Sequence, residues 1–529
     1  MKRIKKVLSI MLTMTLLFTL VSYGSSGENS STSSGDPVEE APAQSGVSLT
    51  YVVSRVNTQP TFSTDPAVDY QGNKSLAMGT TELLFTLDDA TKEVRPYLAE
   101  SIEMTDDTTW VVTLRDGIFL TSGKALDAQI VKDSFAYILE NNTRLAQLSK
   151  ISDMHADGLT LTLTTSEPVA VLPRILTEPN FIVFDTEDDN YADGLVGTGP
   201  YILQKMDSDG NCDLVRNENY WQGVPAADEV HTLANIEADA LTNALQSGEI
   251  DFGSVSDMDL QLFDGDPNYT VSTRNMARVY YLYVNENYGF TMDDALREAI
   301  QYAINRDAIV AGIYSGVGEP TQSIFPEWAP YYTADALQPA YDAAKAASLL
   351  SDAGYVDSDN DGFLEKDGEK VVLKILFYDK NNFKAMAEAV QSLLKDIGID
   401  SEIEVSDTIF DDLTAGAFNI GTYGYNTMTL GDSYNYMQPV FFSEGTSNFC
   451  KFNSPEVDAL IREMETTEDS GKRAELTQQM QPYIYASNDY IFIMHTLTNC
   501  VAKAEMKDLP VGVGGDQIDY MQLWKISKG

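Results

Sequence analysis

The sequence predicts an α/β protein built from more than one domain, on three observations. Strand-like and helix-like hydrophobic periods alternate along the chain, no short repeat period runs through it, and 529 residues exceed what one hydrophobic core organises. With 43% hydrophobic residues and 10% aromatics the chain has the material to fill two or three cores.

Taken in order, Lys2, Arg3, Lys5 and Lys6 precede the uncharged, mainly apolar stretch Val7 to Val21, the layout of an export signal. The stretch is shorter than the ~20 residues a membrane-spanning helix needs. "TLVSYGSSGENSSTSSGD", Thr19 to Asp36, has the outline of a lipoprotein cleavage and tether region, but Tyr23 stands where the lipid-bearing cysteine belongs. Residues 1–23 therefore read as a signal peptide whose lipobox-like end lacks its cysteine, which leaves lipid anchoring at position 23 without an acceptor. Residues 24–48, made of Ser, Gly, Glu, Pro and Ala, read as a flexible tether.

From Leu49 onward packed structure is expected. Trp110, Val112 and Leu114 fall on one face of a strand, as do Leu159, Leu161 and Leu163, and Val371, Leu373, Ile375 and Phe377. Asp127 is an N-cap for a helix whose stripe is Ile130, Val131, Ser134, Phe135, Ile138 and Leu139. Further helical stripes run through Leu296 to Ile304 and Phe383 to Ile397, the latter turning at Gly398 into a strand near Ser401 to Val405. A last helical pair begins at Ser454-Pro455 and continues through Leu476, Met480 and Tyr483.

The formal charge of -45, from 35 basic and 80 acidic residues, repels phosphate backbones and argues against a nucleic-acid partner. Cys212, Cys450 and Cys500 are odd in number and far apart; three buried thiols are expected, with a Cys450 to Cys500 disulfide as the alternative. A secreted hydrolase is the competing class, but His155, His231 and His495 form no H-E-x-x-H helix and no G-x-S-x-G elbow is present. One acidic cluster is sharper. In "DSDNDGFLE", Asp357, Asp359 and Asp361 alternate ahead of Gly362, as in the front half of an EF-hand-like loop, which offers a structural calcium site. The twelfth position is Gly368 rather than Glu, with Glu365 and Asp367 as substitutes; the competing reading is an acidic turn leading into a hairpin.

Seven stretches, in order, resemble the extracellular solute-binding proteins, family 5, of ABC importers for oligopeptides, dipeptides and nickel complexes. They are "TTWVVTLRDGIFLTSGKALDAQIVKDSFAYIL" (Thr108 to Leu139), "VGTGPY" (Val196 to Tyr201), "RNENYWQGVPAADEV" (Arg216 to Val230), "LQSGEIDFG" (Leu245 to Gly253), "LREAIQYAINRDAIV" (Leu296 to Val310), "AASLLSDAGY" (Ala346 to Tyr355) and "FNSPEVDALI" (Phe452 to Ile461). The resemblance implies a two-lobed periplasmic-binding-protein-like fold (type II, three-domain cluster) with a hinged cleft. By analogy, domain I comprises residues 49–84, 195–284 and 500–529, domain II 85–194, and domain III 285–499. It further implies a monomeric binding protein, not an enzyme and without a cofactor, that captures oligopeptides and delivers them to permease subunits at the outer face of a Gram-positive cytoplasmic membrane.

In peptide-binding relatives a glycine-aromatic stretch lies along the peptide, and an aspartate three residues after the aromatic pairs with the peptide ammonium. The matching stretch is "YGYNTMTLGDSYNYM": Gly424 and Tyr425 fit, while Met428 stands at the aspartate position and Asp432 is the substitute. Tyr425, Asn426, Thr427 and Tyr281 are the expected cleft residues. Nickel-chelate binders of the family lack the ammonium clamp and use arginines and aromatics instead. On that reading Arg274 and Arg278 are the anion contacts; the competing reading leaves both on a solvated strand surface.

Overall fold

The computed structural model describes residues 46–53, 63–68, 72–88, 91–188, 194–234, 236, 238–509 and 520–529. The expected signal peptide and all but the end of the expected tether lie outside the described residues. Ser48, the tether's last expected residue, is instead the first of a strand, Ser48–Val52.

A mixed sheet organises the chain. Its strand order is Tyr201–Met206, Cys212–Arg216, Glu229–Leu233, Ser48–Val52, Phe252–Gly253, Tyr490–Lys503, Tyr269–Val284, Ile420–Asn426, Val372–Phe377, Asp400–Val405, with Glu319–Pro320 beside Tyr490–Lys503. Two of these strands are long. Tyr269–Val284 and Tyr490–Lys503 pair antiparallel from Tyr269↔Lys503 to Tyr283↔Tyr490, with a register shift between Asn275 and Val279. The expected boundary at 499/500 falls inside Tyr490–Lys503.

Above the shift both faces of Tyr269–Val284 are buried. Val279, Tyr281 and Tyr283 enter one core with Phe441, Phe449 and Tyr490, while Tyr280, Leu282 and Val284 enter another with Leu296, Phe383 and Val390. Alternate side chains of a strand point to opposite faces, so the run "VYYLYV" serves two cores at once. Burying each large side chain contributes roughly 2 kcal/mol. Below the shift, Cys500 and Ala502 pack with Leu49, Tyr51 and Val230, and Val501 with Leu241 and Ile250.

A separate antiparallel sheet, Ala99–Asp106, Thr109–Leu114, Thr160–Thr165 and Ile151–Asp157, carries the helix Ala128–Asn141. Asp127 caps that helix through the Ile130 amide at 3.0 Å. Trp110, Val112, Leu114, Leu161 and Leu163 are buried as their alternation predicts, in a core running from Leu76 to Leu195. The "VGTGPY" glycines lie against the Gly79 to Thr81 backbone. A Cβ on Gly197 would stand 2.6 Å from the Thr80 carbonyl oxygen, closer than packed atoms allow.

Cys212, Cys450 and Cys500 are free and buried. Among the described residues no helix is long and apolar enough to cross a membrane.

Candidate functional site

The strand Ile420–Asn426 pairs along its whole length with Tyr269–Val284, from Val284↔Ile420 to Arg278↔Asn426. Its other edge pairs with Val372–Phe377 only at Ile375↔Ile420 and Leu376↔Gly421. Among the described residues, the Val372–Phe377 ladder therefore stops at Gly421, and the strand edge continues past it through Gly424 and Asn426. That edge opens on a cavity of about 550 Å³.

Gly424 lets the backbone stand at this wall, because a Cβ would lie 2.7 Å from Tyr280 Cδ1 and 3.3 Å from Phe383 Cζ. The flanking Tyr423 and Tyr425 rings, 6.2 Å apart, line the cavity with Asn426 and with Phe410 from the helix Ile409–Ala415. Burial raises the Tyr423 phenol, and the nearby positive charge of Arg278 opposes the rise. Tyr378 is pushed up to about 12 by burial and by Tyr423, again with Arg278 opposing. Arg278 thus stands as the cation of an aromatic wall. The facing wall is Arg144, Leu148 and Glu178, where Arg144 Nη2 lies 2.7 Å from Glu178 Oε1.

A neighbouring cavity of about 560 Å³ continues between residues 148–175 and 430–473. Arg174 crosses between the two walls: its Nη1 donates to the Lys92 carbonyl at 2.6 Å and to the Leu430 carbonyl at 2.9 Å.

The expected site residues divide into three groups. Tyr425, Asn426 and Arg278 line the first cavity and Asp432 the second. Thr427, Met428 and Tyr281 are corrected to the interior. Thr427 is fully buried with its hydroxyl donating to the Ala277 carbonyl at 2.9 Å, Met428 packs in the core at 3% exposure, and the Tyr281 hydroxyl meets that of Tyr283 at 2.7 Å. Arg274 pairs in register with Thr498 and lines neither cavity. As a counter-charge for a ligand Asp432 is also corrected, because both its oxygens are taken by Arg473, at 2.6 and 2.8 Å. Sequence reading missed Tyr423, Phe410, Arg144, Arg174, Glu178 and Leu430; only Tyr423 had a signal, its place in the alternating "TYGYN".

The acidic loop is real as a cluster: ligand oxygens of Asp357, Asp359, Asp361 and Glu365 lie within 4.8 Å of one another. Glu365, rather than a residue at the twelfth position, completes the group, a donor set that suits a hard cation. The hairpin reading also holds, since Glu365–Lys366 pairs with Glu369–Lys370. Internal bonds order the loop: Asp357 accepts from the Gly362 amide, Asp361 from that of Phe363, and Lys370 Nζ sits 3.3 Å from Asp361. His495 is a core residue: burial lowers its imidazole to about 4, and its Nε2 meets the Ile324 carbonyl at 3.2 Å.

Residues 93–448 match the profile of the bacterial extracellular solute-binding proteins, family 5 (middle region). The chain belongs to this family. Family-5 members of ABC importers bind solutes rather than transform them, and they work outside the cytoplasm. Among curated relatives, the chain is 25% identical over 465 residues to the nickel-binding protein NikA of Staphylococcus aureus, covering 86% of this chain and 87% of the relative. It is 24% identical over 527 residues to the oligopeptide-binding protein AppA of Bacillus subtilis, covering 94% of each. Among solved structures, a nickel ABC transporter protein from Bacillus halodurans aligns at TM-score 0.77 and 27% identity, over 90% of this chain and 98% of the other. AppA in complex with a nonapeptide aligns at TM-score 0.68 and 21% identity, over 92% and 99%. The fold is accordingly that of the two-lobed binding proteins of family 5.

Proposed function

We propose that this family-5 protein captures short peptides in extended form and hands them to the permease of an ABC importer. The observation that carries the reading is the strand edge at Gly424 and Asn426, beyond the reach of the Val372–Phe377 ladder, beside a cavity walled by tyrosines. Backbone N–H and C=O groups on such an edge are satisfied by an added strand, whose side chains then alternate into the pockets on either side. A ligand that also touches Arg144 and Leu148 contacts both walls, and only such differential contact favours closure. In this reading residues 85–194 form the closing lobe, and the chain is exported to the outer face of the membrane without a lipid at Tyr23.

A second reading, a compact anionic metal chelate, is favoured by the charges. Glu178 is occupied by Arg144 and Asp432 by Arg473, so a peptide ammonium meets no waiting carboxylate at either, while Arg278 faces the cavity. The nickel-binding names of several relatives point the same way. Native mass spectrometry of the protein purified from cells, followed by denaturation, separates the readings. A ladder of peptide masses supports peptide capture, whereas a single small mass carrying a metal replaces it with the chelate.

A further inference from the structure

The cleft is two chambers. The cavities of about 550 and 560 Å³ share Leu148, Leu430 and Asn435 as lining residues, and Leu430 stands between them. Its backbone is left-handed, with φ 55° and ψ 28°, a conformation a branched side chain keeps only where its surroundings impose it. The surroundings here are specific. Arg174 holds the Leu430 carbonyl from across the cleft, the Tyr331 hydroxyl donates to the Gly431 carbonyl at 3.2 Å, and a Cβ on Gly431 would stand 2.8 Å from Arg174 Nη1.

The chambers differ in chemistry. The first offers the strand edge, Arg278 and two tyrosines. The second is walled by Val169, Val171, Ile175 and Met464, and its charged groups are already engaged: Asp432 with Arg473, Lys150 with Glu167 at 3.2 Å, and Glu465 with the Tyr434 hydroxyl at 2.9 Å. A charged ligand group entering beside Asp432 and Arg473, each buried and committed to the other, would shed water without gaining a partner, whereas an apolar group gains from burial.

We propose that the second chamber is a subsite for one large apolar side chain of a peptide whose backbone lies along residues 422–426, and that Leu430, fixed by Arg174, is the partition that sets its size. This rests on the peptide reading above. Strand geometry supports it, because every second side chain of an added strand leaves on the same side, and the two chambers adjoin at Leu430.

The test is calorimetry on the full chain with pentaalanine and with pentaalanine carrying a single phenylalanine at each position in turn. At one position phenylalanine binds at least tenfold tighter than alanine. Filling the chamber with Ala170→Trp, or making it polar with Val171→Ser, abolishes that preference, the phenylalanine peptide losing at least tenfold more affinity than pentaalanine. Arg174→Ala frees the partition and extends the preference to tryptophan. A phenylalanine preference that survives both chamber variants overturns the subsite, as does an equal loss for both peptides. If no peptide binds the unmodified chain, the peptide reading fails, and the chamber is then read with an anilinonaphthalene sulfonate probe. Probe fluorescence lost in Ala170→Trp leaves an apolar ligand chamber standing without peptides; unchanged fluorescence overturns the chamber too.

Discussion

Asp432 and Arg473 form a two-pronged ion pair inside the protein, with Nη2 to Oδ1 at 2.6 Å, Nε to Oδ2 at 2.8 Å, and side-chain exposures of 4% and 3%. The carboxylate expected to stand in for an ammonium partner is therefore a scaffold element. It also accepts the Tyr434 amide at 2.8 Å, fixing the start of the helix Tyr434–Phe441.

Removing one partner leaves the other charge buried and alone. Asp432→Ala and Arg473→Ala are each expected to lower stability by about 3–5 kcal/mol, and the double change to apolar residues by less than the two losses together. Urea denaturation at neutral pH measures this. Burial alone would raise the Asp432 carboxyl, but the hydrogen bonds and charge of Arg473, with Arg174 nearby, hold it below the ordinary carboxylate range. A depressed folded value means the contribution is complete above the unfolded pKa of about 3.9 and is lost as pH falls through the folded value. The melting temperatures of the parent and of an Asp432→Leu/Arg473→Met variant should therefore converge on acidification below about pH 4.

Glu82 behaves in the opposite sense. Full burial pushes its carboxyl up to about 7, against four hydrogen bonds from Tyr220, Thr198, Trp221 and Tyr97 that favour the ion. With the folded value raised, stability is complete below the unfolded pKa of about 4.3 and declines as pH rises towards 7, by roughly 3 kcal/mol for a shift of this size. Glu82→Gln should remove this slope. Its amide can donate to the two tyrosine hydroxyls while its carbonyl accepts from Trp221 and Thr198. Melting curves from pH 5 to 8 report the result, and equal slopes in both proteins would refute the assignment.

Gly424→Ala should destabilise by about 1–3 kcal/mol, because the added methyl meets the Tyr280 ring at 2.7 Å. In a cycle with Tyr280→Leu the two losses should be less than additive, since the smaller side chain vacates the contact.

Thiol titration gives a direct check on the cysteines. The native protein should leave Cys212, Cys450 and Cys500 unreactive, and unfolding should release three thiols with no reductant present. Burial pushes the Cys212 and Cys500 thiols up, to about 11 and about 12, so neither carries appreciable thiolate at neutral pH. A count of one would restore the Cys450 to Cys500 disulfide.

What was legible in the sequence was local. Asp127 caps the helix it was expected to cap, because a capping side chain bonds an amide three residues on, and the helix expected from Ser454-Pro455 starts there. The period-two strands at Trp110 and Leu161 bury the predicted faces. The site was less legible because its contacts are remote: Arg174 and Leu430 are 256 residues apart, and Asp432 and Arg473 41. Tyr281 misled for a physical reason. On a strand buried on both faces every side chain points into one of two cores, and nothing in "VYYLYV" marks that no face is left open.

The long ladder between Tyr269–Val284 and Tyr490–Lys503 also sets a schedule. Its paired residues are more than two hundred positions apart, and the second strand supplies both a sheet edge for Phe252–Gly253 and the core residues Tyr490 to Met494. A chain growing from its N-terminus therefore finishes the cores at both ends of the sheet only when residues 490–503 have been made. Until then Tyr269–Val284 has an open flank that other chains can pair with. Deleting residues 490–503 should therefore be as damaging as a deletion in the middle of the sheet, although they lie far in sequence from the strands they complete.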